Sequence, residues 1–304
     1  MKNHIVLFTG LLVFLSAGCS INQMAMRSDN PEFIGDQFPR IIKSNEAKLE
    51  KRPDDQKLIL SAGSMYIMYA NAFIQGPAEL LPRDQHAERQ EAFARAKILY
   101  LKGADLLYGG LNRKYPGLAG SYQAGKLSEI LEKMNRDDVP SLYWIAAGYL
   151  SAFSLNPFDM ELGIKVPELI RMIDRAYELD PDFNSGALDD FYVLFHASVP
   201  ESMGGDKTRV ETHYQRSLEK SKRLLAGPYI SYAQAVCVPA QDYTTFKANL
   251  EKALEIDPDR DKNNRLVNTL NQRKARYLLD SAAFYFIGLD AGDWDDWGDE
   301  ELDN

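Results

Sequence analysis

Ala176-Tyr177-Glu178-Leu179-Asp180-Pro181 is the stretch from which the fold of this chain is read. Near-copies stand at Ala152-Phe153-Ser154-Leu155-Asn156-Pro157 and Ala253-Leu254-Glu255-Ile256-Asp257-Pro258. The shared pattern is Ala-x-[Ser/Glu]-[Leu/Ile]-[Asn/Asp]-Pro. The small Ala lets two helices approach closely. The Leu or Ile fills the groove between neighbouring helical units. The Asx-Pro pair ends the helix, because proline disfavours helical angles in the residue before it and an Asx side chain bonds to nearby backbone. Three helix ends of one design predict helical hairpins stacked side by side.

The flanking residues agree. Leu169, Ile170, Ile173, Ala176 and Tyr177 share one face of a helix. Tyr243, Phe246, Leu250, Ala253 and Leu254 share another, with Lys247, Asn249, Glu251, Lys252 and Glu255 opposite. Alternation of the strand type is scarce. Breaks fall at Gly117, Gly120, Pro140, Pro157, Pro181, Pro200, Gly204, Gly205, Gly227, Pro228, Pro239 and Pro258. The pattern predicts helices near 55–74, 87–108, 121–135, 140–154, 165–179, 185–198, 207–225, 228–238, 243–256 and 262–286. The expected class is all-α, a tetratricopeptide-like helical-hairpin solenoid over residues 31–287. The copies are 24 and 77 residues apart, not multiples of the roughly 34-residue tetratricopeptide period. The repeats are therefore expected to be degenerate, with insertions. Such a solenoid offers a concave face for docking.

The two ends read differently. Lys2 opens a short positive region, and Ile5 to Leu15 is a largely apolar run too short to span a membrane. Leu15-Ser16-Ala17-Gly18-Cys19 resembles a bacterial lipoprotein signal, although Ser16 stands where Leu is usual. Residues 1–18 are then a lipoprotein signal peptide and 19–30 a tether, with lipid on Cys19 as the membrane anchor. Ser20, in place of the Asp that retains lipoproteins in the inner membrane, points by analogy to the outer membrane. Cys237 is left without a partner and reads as a buried small hydrophobe. The net charge of −9 argues against nucleic acid as a partner. Nearly all of it sits in the tail, residues 288–304, which carries eight carboxylates and no base. That composition reads as a disordered acidic tail, but Trp294 and Trp297 are unusual there and are suited to docking on the body or on a partner.

The search for chemistry finds little. His86, His196 and His213 have no metal-ligand spacing, and His196 and His213 read as satisfied residues at helix interfaces. No nucleophile motif occurs. Gly204-Gly205-Asp206-Lys207-Thr208 ends like a phosphate loop, but Asp206 would repel phosphate. The tail segment Asp293–Gly298 lacks the ligand pattern of a calcium loop. No catalytic residue, cofactor or metal site is expected, and a binding protein rather than an enzyme is the reading. The strongest local feature is Pro200–Asp206, where paired glycines permit unusual backbone and Asp206 is placed to cap the next helix. It serves either as a tight turn or as a loop presented to a partner. The candidate partner- or ligand-binding residues are Met203, Gly204, Gly205 and Asp206, with the aromatics Tyr143, Trp144, Tyr214, Tyr229 and Tyr232. Each aromatic also reads as core.

Tyr143-Trp144-Ile145-Ala146-Ala147, Ala176–Pro181, Pro200–Asp206 followed by His213-Tyr214, and Phe246–Pro258 together resemble the T component associated with tripartite ATP-independent periplasmic (TRAP) transporters, the TatT family. The resemblance runs from about Ala70 to Phe286 and does not cover the acidic tail. It implies an envelope lipoprotein with a tetratricopeptide-like domain, self-association as a homo-oligomer, and partnership with a periplasmic solute-binding protein. It also implies a hydrophobic opening through the helical body for an apolar or organic-acid ligand. The alternative is a generic scaffold for envelope protein assembly with no small-molecule ligand.

Overall fold

The computed structural model describes residues 25–201 and 204–289. Cys19, Met203, Trp294 and Trp297 lie outside them. Among the described residues all regular structure is helical. The main helices are α1 (Pro31–Lys51), α2 (Gln56–Tyr69), α3 (Gly76–Glu79), α4 (His86–Lys114), α5 (Leu127–Leu131), α6 (Val139–Leu155) and α7 (Met160–Leu179). After them come α8 (Ala187–Ser198), α9 (Lys207–Lys220), α10 (Gly227–Tyr232), α11 (Val238–Ala240), α12 (Tyr243–Leu254) and α13 (Arg265–Asp280).

The three copies of the Ala-to-Pro signature each end a helix. Leu155, Leu179 and Leu254 are the last residues of α6, α7 and α12, and Ala152, Ala176 and Ala253 are fully buried. Asn156 and Asp180 leave the helix with extended φ angles of −147° and −152°, as the following prolines require. Helix starts are capped as their sequences dictate. Asn30, Asp55, Asp159, Asp206 and Asp242 each accept a backbone N–H from the first turn.

Several elements differ from the expectation. A helix over Pro31–Lys51 precedes the first expected one. Ile34, Phe38 and Ile42 are buried along its one face, and that packing carries the helix across Pro39. Likewise α7 begins at Met160 and runs through Pro167, because Leu162, Leu169, Met172, Ile173 and Ala176 are buried on one stripe. The helix expected over 121–135 shrinks to Leu127–Leu131. Gly117, Gly120 and Gly125, with φ of 92°, 80° and 68°, carry the chain before it as turns.

Packing follows sequence order: α1 lies on α2, α2 on α4, α4 on α6, α6 on α7, α8 on α9 and α12 on α13. The hub is α6, buried nearly all round. Its neighbours come very close. A Cβ on Gly103 of α4 would lie 2.6 Å from the Gly63 carbonyl oxygen of α2, and one on Gly148 of α6 would lie 2.8 Å from Ile67. No larger residue fits at Gly103, where the neighbour is backbone, and at Gly148 the Ile67 side chain would have to shift. The last long helix then returns to the first, since α13 packs on α1. Arg273 binds Glu32, Arg265 reaches Asp29 at 3.3 Å, and Leu266 and Val267 join the main core. Exposed pairs of this kind stabilise by only about 0–1 kcal/mol each, so the buried apolar residues hold the closure and the ions fix its register.

Two stretches are π-helical, Ala70–Gln75 and Ala233–Cys237. Each runs into a proline, Pro77 or Pro239. In an α-helix that ring would strike the carbonyl four residues back. Here the turn widens instead: the Gly76 N–H bonds to the Asn71 carbonyl and the Val238 N–H to that of Ala233, five residues back. The two stretches share a pattern, Tyr69-Ala70-Asn71-Ala72 before Pro77-Ala78 and Tyr232-Ala233-Gln234-Ala235 before Pro239-Ala240.

Glycine spacing at the α2–α4 crossing is testable against a control in the same helix. Gly103→Ala is expected to destabilise by about 1–3 kcal/mol, as an overpacked crossing does. Gly109→Ala, whose Cβ would meet only the Arg113 side chain at 3.7 Å, is expected to be neutral or stabilising by up to about 1 kcal/mol. Urea unfolding followed by circular dichroism separates the two; equal midpoints would contradict the close crossing.

Candidate functional site

The loop Pro200–Asp206 is built by its glycines. Gly204 has φ of 97°, closed to most side chains. Gly205 is buried, and a Cβ there would lie 1.8 Å from the Val199 carbonyl oxygen. The Gly205 N–H donates to the Pro200 carbonyl at 3.1 Å, closing the turn. Asp206 accepts from the Thr208 N–H at 3.0 Å and from its hydroxyl at 2.6 Å.

Near this loop lies a buried polar cluster between α8 and α9. Tyr192 stacks on His213 at 4.8 Å and on His196 at 5.5 Å. Asp189 is fully buried and accepts from Lys220 at 2.7 Å and Tyr177 at 3.0 Å, with His213 Nδ1 at 2.8 Å. Burial alone would raise its pKa, but these three partners hold it below the usual carboxylate range. Its neighbour Asp190 has only the Ser231 hydroxyl, at 3.1 Å to Oδ2; its Oδ1 has no partner among the described residues. Burial pushes Asp190 up to about 7. The structure corrects one expectation here. His196 is buried at the helix interface, but neither ring nitrogen has a hydrogen-bond partner among the described residues. Burial, with Arg209 nearby, pushes it down to about 4, so it is neutral at pH 7.

The sequence-derived aromatics fall into two groups. Tyr143 and Trp144 are buried in α6, edge to face at 5.3 Å, with Tyr143 also against Phe183. Their OH and Nε1 have no partner among the described residues. Tyr214, Tyr229 and Tyr232 form a second cluster: Tyr214 stacks on Tyr232 at 4.2 Å and meets Tyr229 edge-on. Tyr214 OH donates to Asn249, and Tyr232 OH to Glu211 at 2.9 Å. Tyr214 and Tyr229 are buried and Tyr232 is half-buried.

A hollow lies elsewhere, at the seam where α13 meets the start of the chain. Its main chamber, about 910 Å³, is lined by α3, the start of α4, the second π-helical stretch, α13 and residues 283–289. Two chambers of about 440 Å³ adjoin it, one of them walled by α1 and the first π-helical stretch. Leu80 lines all three. The walls are largely apolar, with Phe93, Leu278, Phe284, Tyr285 and Phe286 in the main chamber. Among its charged residues, Lys274 pairs with Glu79 at 3.0 Å. Glu79 also accepts from Gln75 at 2.7 Å, and Gln75 in turn accepts from the buried Tyr100 hydroxyl at 2.7 Å. Arg83 lies over the Phe284 ring at 3.5 Å, and Arg89 donates to the carbonyls of Ala78, Leu81 and Pro82. The volume and the few convergent polar groups are those of a small-molecule pocket. No helix among the described residues is long and apolar enough to cross a membrane.

Residues 27–286 match the family described as the TRAP transporter T-component. The chain belongs to that family. A protein of Treponema pallidum (strain Nichols), described as uncharacterized, is 34% identical over 262 residues, covering 85% of this chain and 81% of the relative. The family match includes every helix given above and most of the hollow's wall, and ends before the acidic tail.

Among the described residues, none of Gly204, Gly205, Asp206, Tyr143, Trp144, Tyr214, Tyr229 and Tyr232 lines the hollow. The residues that do were missed, because they come from both halves of the chain. One signal was present: the paired Tyr-Ala-[Asn/Gln]-Ala stretches that run into proline flank the hollow from two sides.

The buried Asp190 gives a pH prediction. Its folded pKa lies above its unfolded value, so its contribution favours the fold at low pH and is lost as pH rises from about 4 through about 7. Asp190→Asn keeps an acceptor for Ser231 and removes that loss. The variant is expected to match the wild type at pH 4 and to exceed it at pH 8 by on the order of 4 kcal/mol. Denaturant midpoints at the two pH values measure this; no gain at pH 8 would show that Asp190 is not held against its charged form.

Proposed function

We propose that this chain is the lipid-anchored accessory component of a TRAP-type transporter, which holds a small organic ligand in the seam hollow and docks a periplasmic solute-binding protein. The observation that carries the reading is the hollow itself: about 910 Å³ of mostly apolar wall with three cations and one carboxylate. That chemistry suits an apolar organic acid, whose tail is desolvated by the aromatics and whose carboxylate meets a guanidinium. Family membership over residues 27–286 supports the transporter role. In this reading Cys19 carries the lipid, the body faces the periplasm from the outer membrane, and the chain self-associates. The helical hairpins stack in the tetratricopeptide manner, and the loop Met203–Asp206 is presented to the protein partner.

A second reading, a scaffold for envelope proteins without a small ligand, is favoured by one surface. Phe158, Met160 and Ile164 are 84%, 75% and 59% exposed. Ile98, 66% exposed, is next to Lys97, which binds Asp159 at 2.8 Å. Exposed apolar groups of this size mark protein contacts.

Native mass spectrometry of the mature protein separates the two. The transporter reading expects a retained organic acid, lost at least tenfold in Arg83→Glu, and co-elution with a solute-binding protein from its own cell extract. A ligand-free spectrum with no such co-elution would leave only the scaffold.

A further inference from the structure

Two of the charged residues of the main chamber are withdrawn from water and bound to each other. Lys274 and Glu79 meet at 3.0 Å, with only 13% and 14% of their side chains exposed. Arg83, by contrast, is exposed at the rim beside Phe284. The pair also stands at a boundary. Among the described residues, Leu80 and Lys274 line both the main chamber and the chamber walled by α1. Lys274 is thus the inner cation of the hollow.

Glu79 is held from behind as well. Gln75 donates to its Oε1 at 2.7 Å, the Tyr100 hydroxyl donates to Gln75 at 2.7 Å, and Asn71 donates to that hydroxyl at 3.1 Å. Gln75 and Tyr100 are buried. This row engages Oε1, whereas Oε2 is the oxygen that meets Lys274. The carboxylate therefore has an anchor independent of the lysine. Two guanidinium groups are also near it. Burial raises the pKa of the Tyr285 phenol, Tyr277 and Glu79 add to the rise, and Arg83 and Arg89 oppose it, so these charges act on one region of the chamber. Neither Arg83 nor Arg89 makes an ion pair among the described residues. With three cations and one carboxylate, the chamber carries an excess of two positive charges. A further carboxylate lowers that excess, and in a place shielded from water its attraction to a cation is strong.

We propose that Glu79 is a built-in stand-in for the anionic head of the ligand: the carboxylate of an apolar organic acid takes its place on Lys274, and the apolar body lies on the wall at Phe93, Leu278 and Phe286. Arg83 at the rim draws the anion in, and Lys274 receives it. Affinity is then set by competition between two carboxylates for one ammonium. The proposal rests on the chamber being the ligand site.

The test titrates the mature full-length chain with two fluorescent dyes of one ring system, neutral N-phenyl-1-naphthylamine and anionic 8-anilinonaphthalene-1-sulfonate. Glu79→Gln keeps an acceptor for Gln75 and leaves Lys274 uncompensated. It is expected to tighten the anionic dye about fivefold or more and to change the neutral dye by less than about twofold. Lys274→Met is expected to weaken the anionic dye by a similar factor, with the neutral dye again unmoved. The double variant Glu79→Gln/Lys274→Met buries no charge alone, so it keeps the test decisive where Lys274→Met does not fold. It is expected to lose the gain of Glu79→Gln. Unchanged affinity for the anionic dye in Glu79→Gln overturns the proposal and leaves the chamber reading standing. A gain that survives in the double variant does the same, because it places the anion at Arg83 or Arg89. Equal shifts of both dyes also overturn the proposal, since they report an altered wall and not a freed cation. Binding of neither dye by any form overturns the chamber reading, and the proposal with it.

Discussion

Backbone touches backbone where α2 and α4 cross, and the rest of the molecule is arranged around that contact. Gly63 and Gly103 face each other with no room for a Cβ, and Gly148 rests against Ile67 and Ala104. Glycine in a helix costs about 1 kcal/mol relative to alanine, so its presence at successive crossings reflects tertiary need rather than helical preference. The close approach lets α6 be enclosed on nearly every side. Tyr100, Tyr143, Leu107 and Ile145 are then fully buried, and the outer helices have a rigid base to pack on.

From that base the chain is carried round until α13 meets α1. The seam is not a tight crossing like the first. A widened turn running into proline, at 77 and at 239, stands on either side of it. The space between them is bounded by polar groups that hold one another: Tyr100 to Gln75, Gln75 to Glu79, Glu79 to Lys274. A bonded chain of this kind keeps a hollow open without leaving charges buried and unpaired. The same two stretches that disturb the helices supply the walls.

The buried carboxylates Asp189 and Asp190 illustrate how neighbouring residues of one helix take opposite characters. Asp189 has a lysine, a tyrosine and a histidine around it and stays ionised. Asp190, one residue on, faces apolar surroundings with a single hydroxyl and is driven toward its neutral form. Composition and spacing cannot separate them; only the elements brought against α8 do. Asp190 costs stability near neutral pH whereas Asp189 favours the fold there, and together they tie α8 to α9 and α10 through directional bonds.

Local chemistry written in the chain determined its helical class, three helix ends of the Ala-to-Pro type, the Asp206 cap, the buried Cys237 and the family. Those features depend on residues within one or two turns of each other, where proline geometry, capping and a 3.6-residue period act directly. The same local rules gave no helix over Pro31–Lys51 and began the helix through Pro167 at 165 rather than 160, because burial of a distant face outweighs one lost backbone bond. They also directed attention to Tyr143, Trp144 and the Tyr214 cluster, whose rings are large enough to serve equally as core. The hollow could not be read that way. Its walls come from residues 79–93 and 234–289, and what brings them together is the return of α13 to the first half of the chain, where Lys274 pairs with Glu79, 195 residues away. Periodicity says which face of each helix is buried; only the folded structure decides which other face it meets.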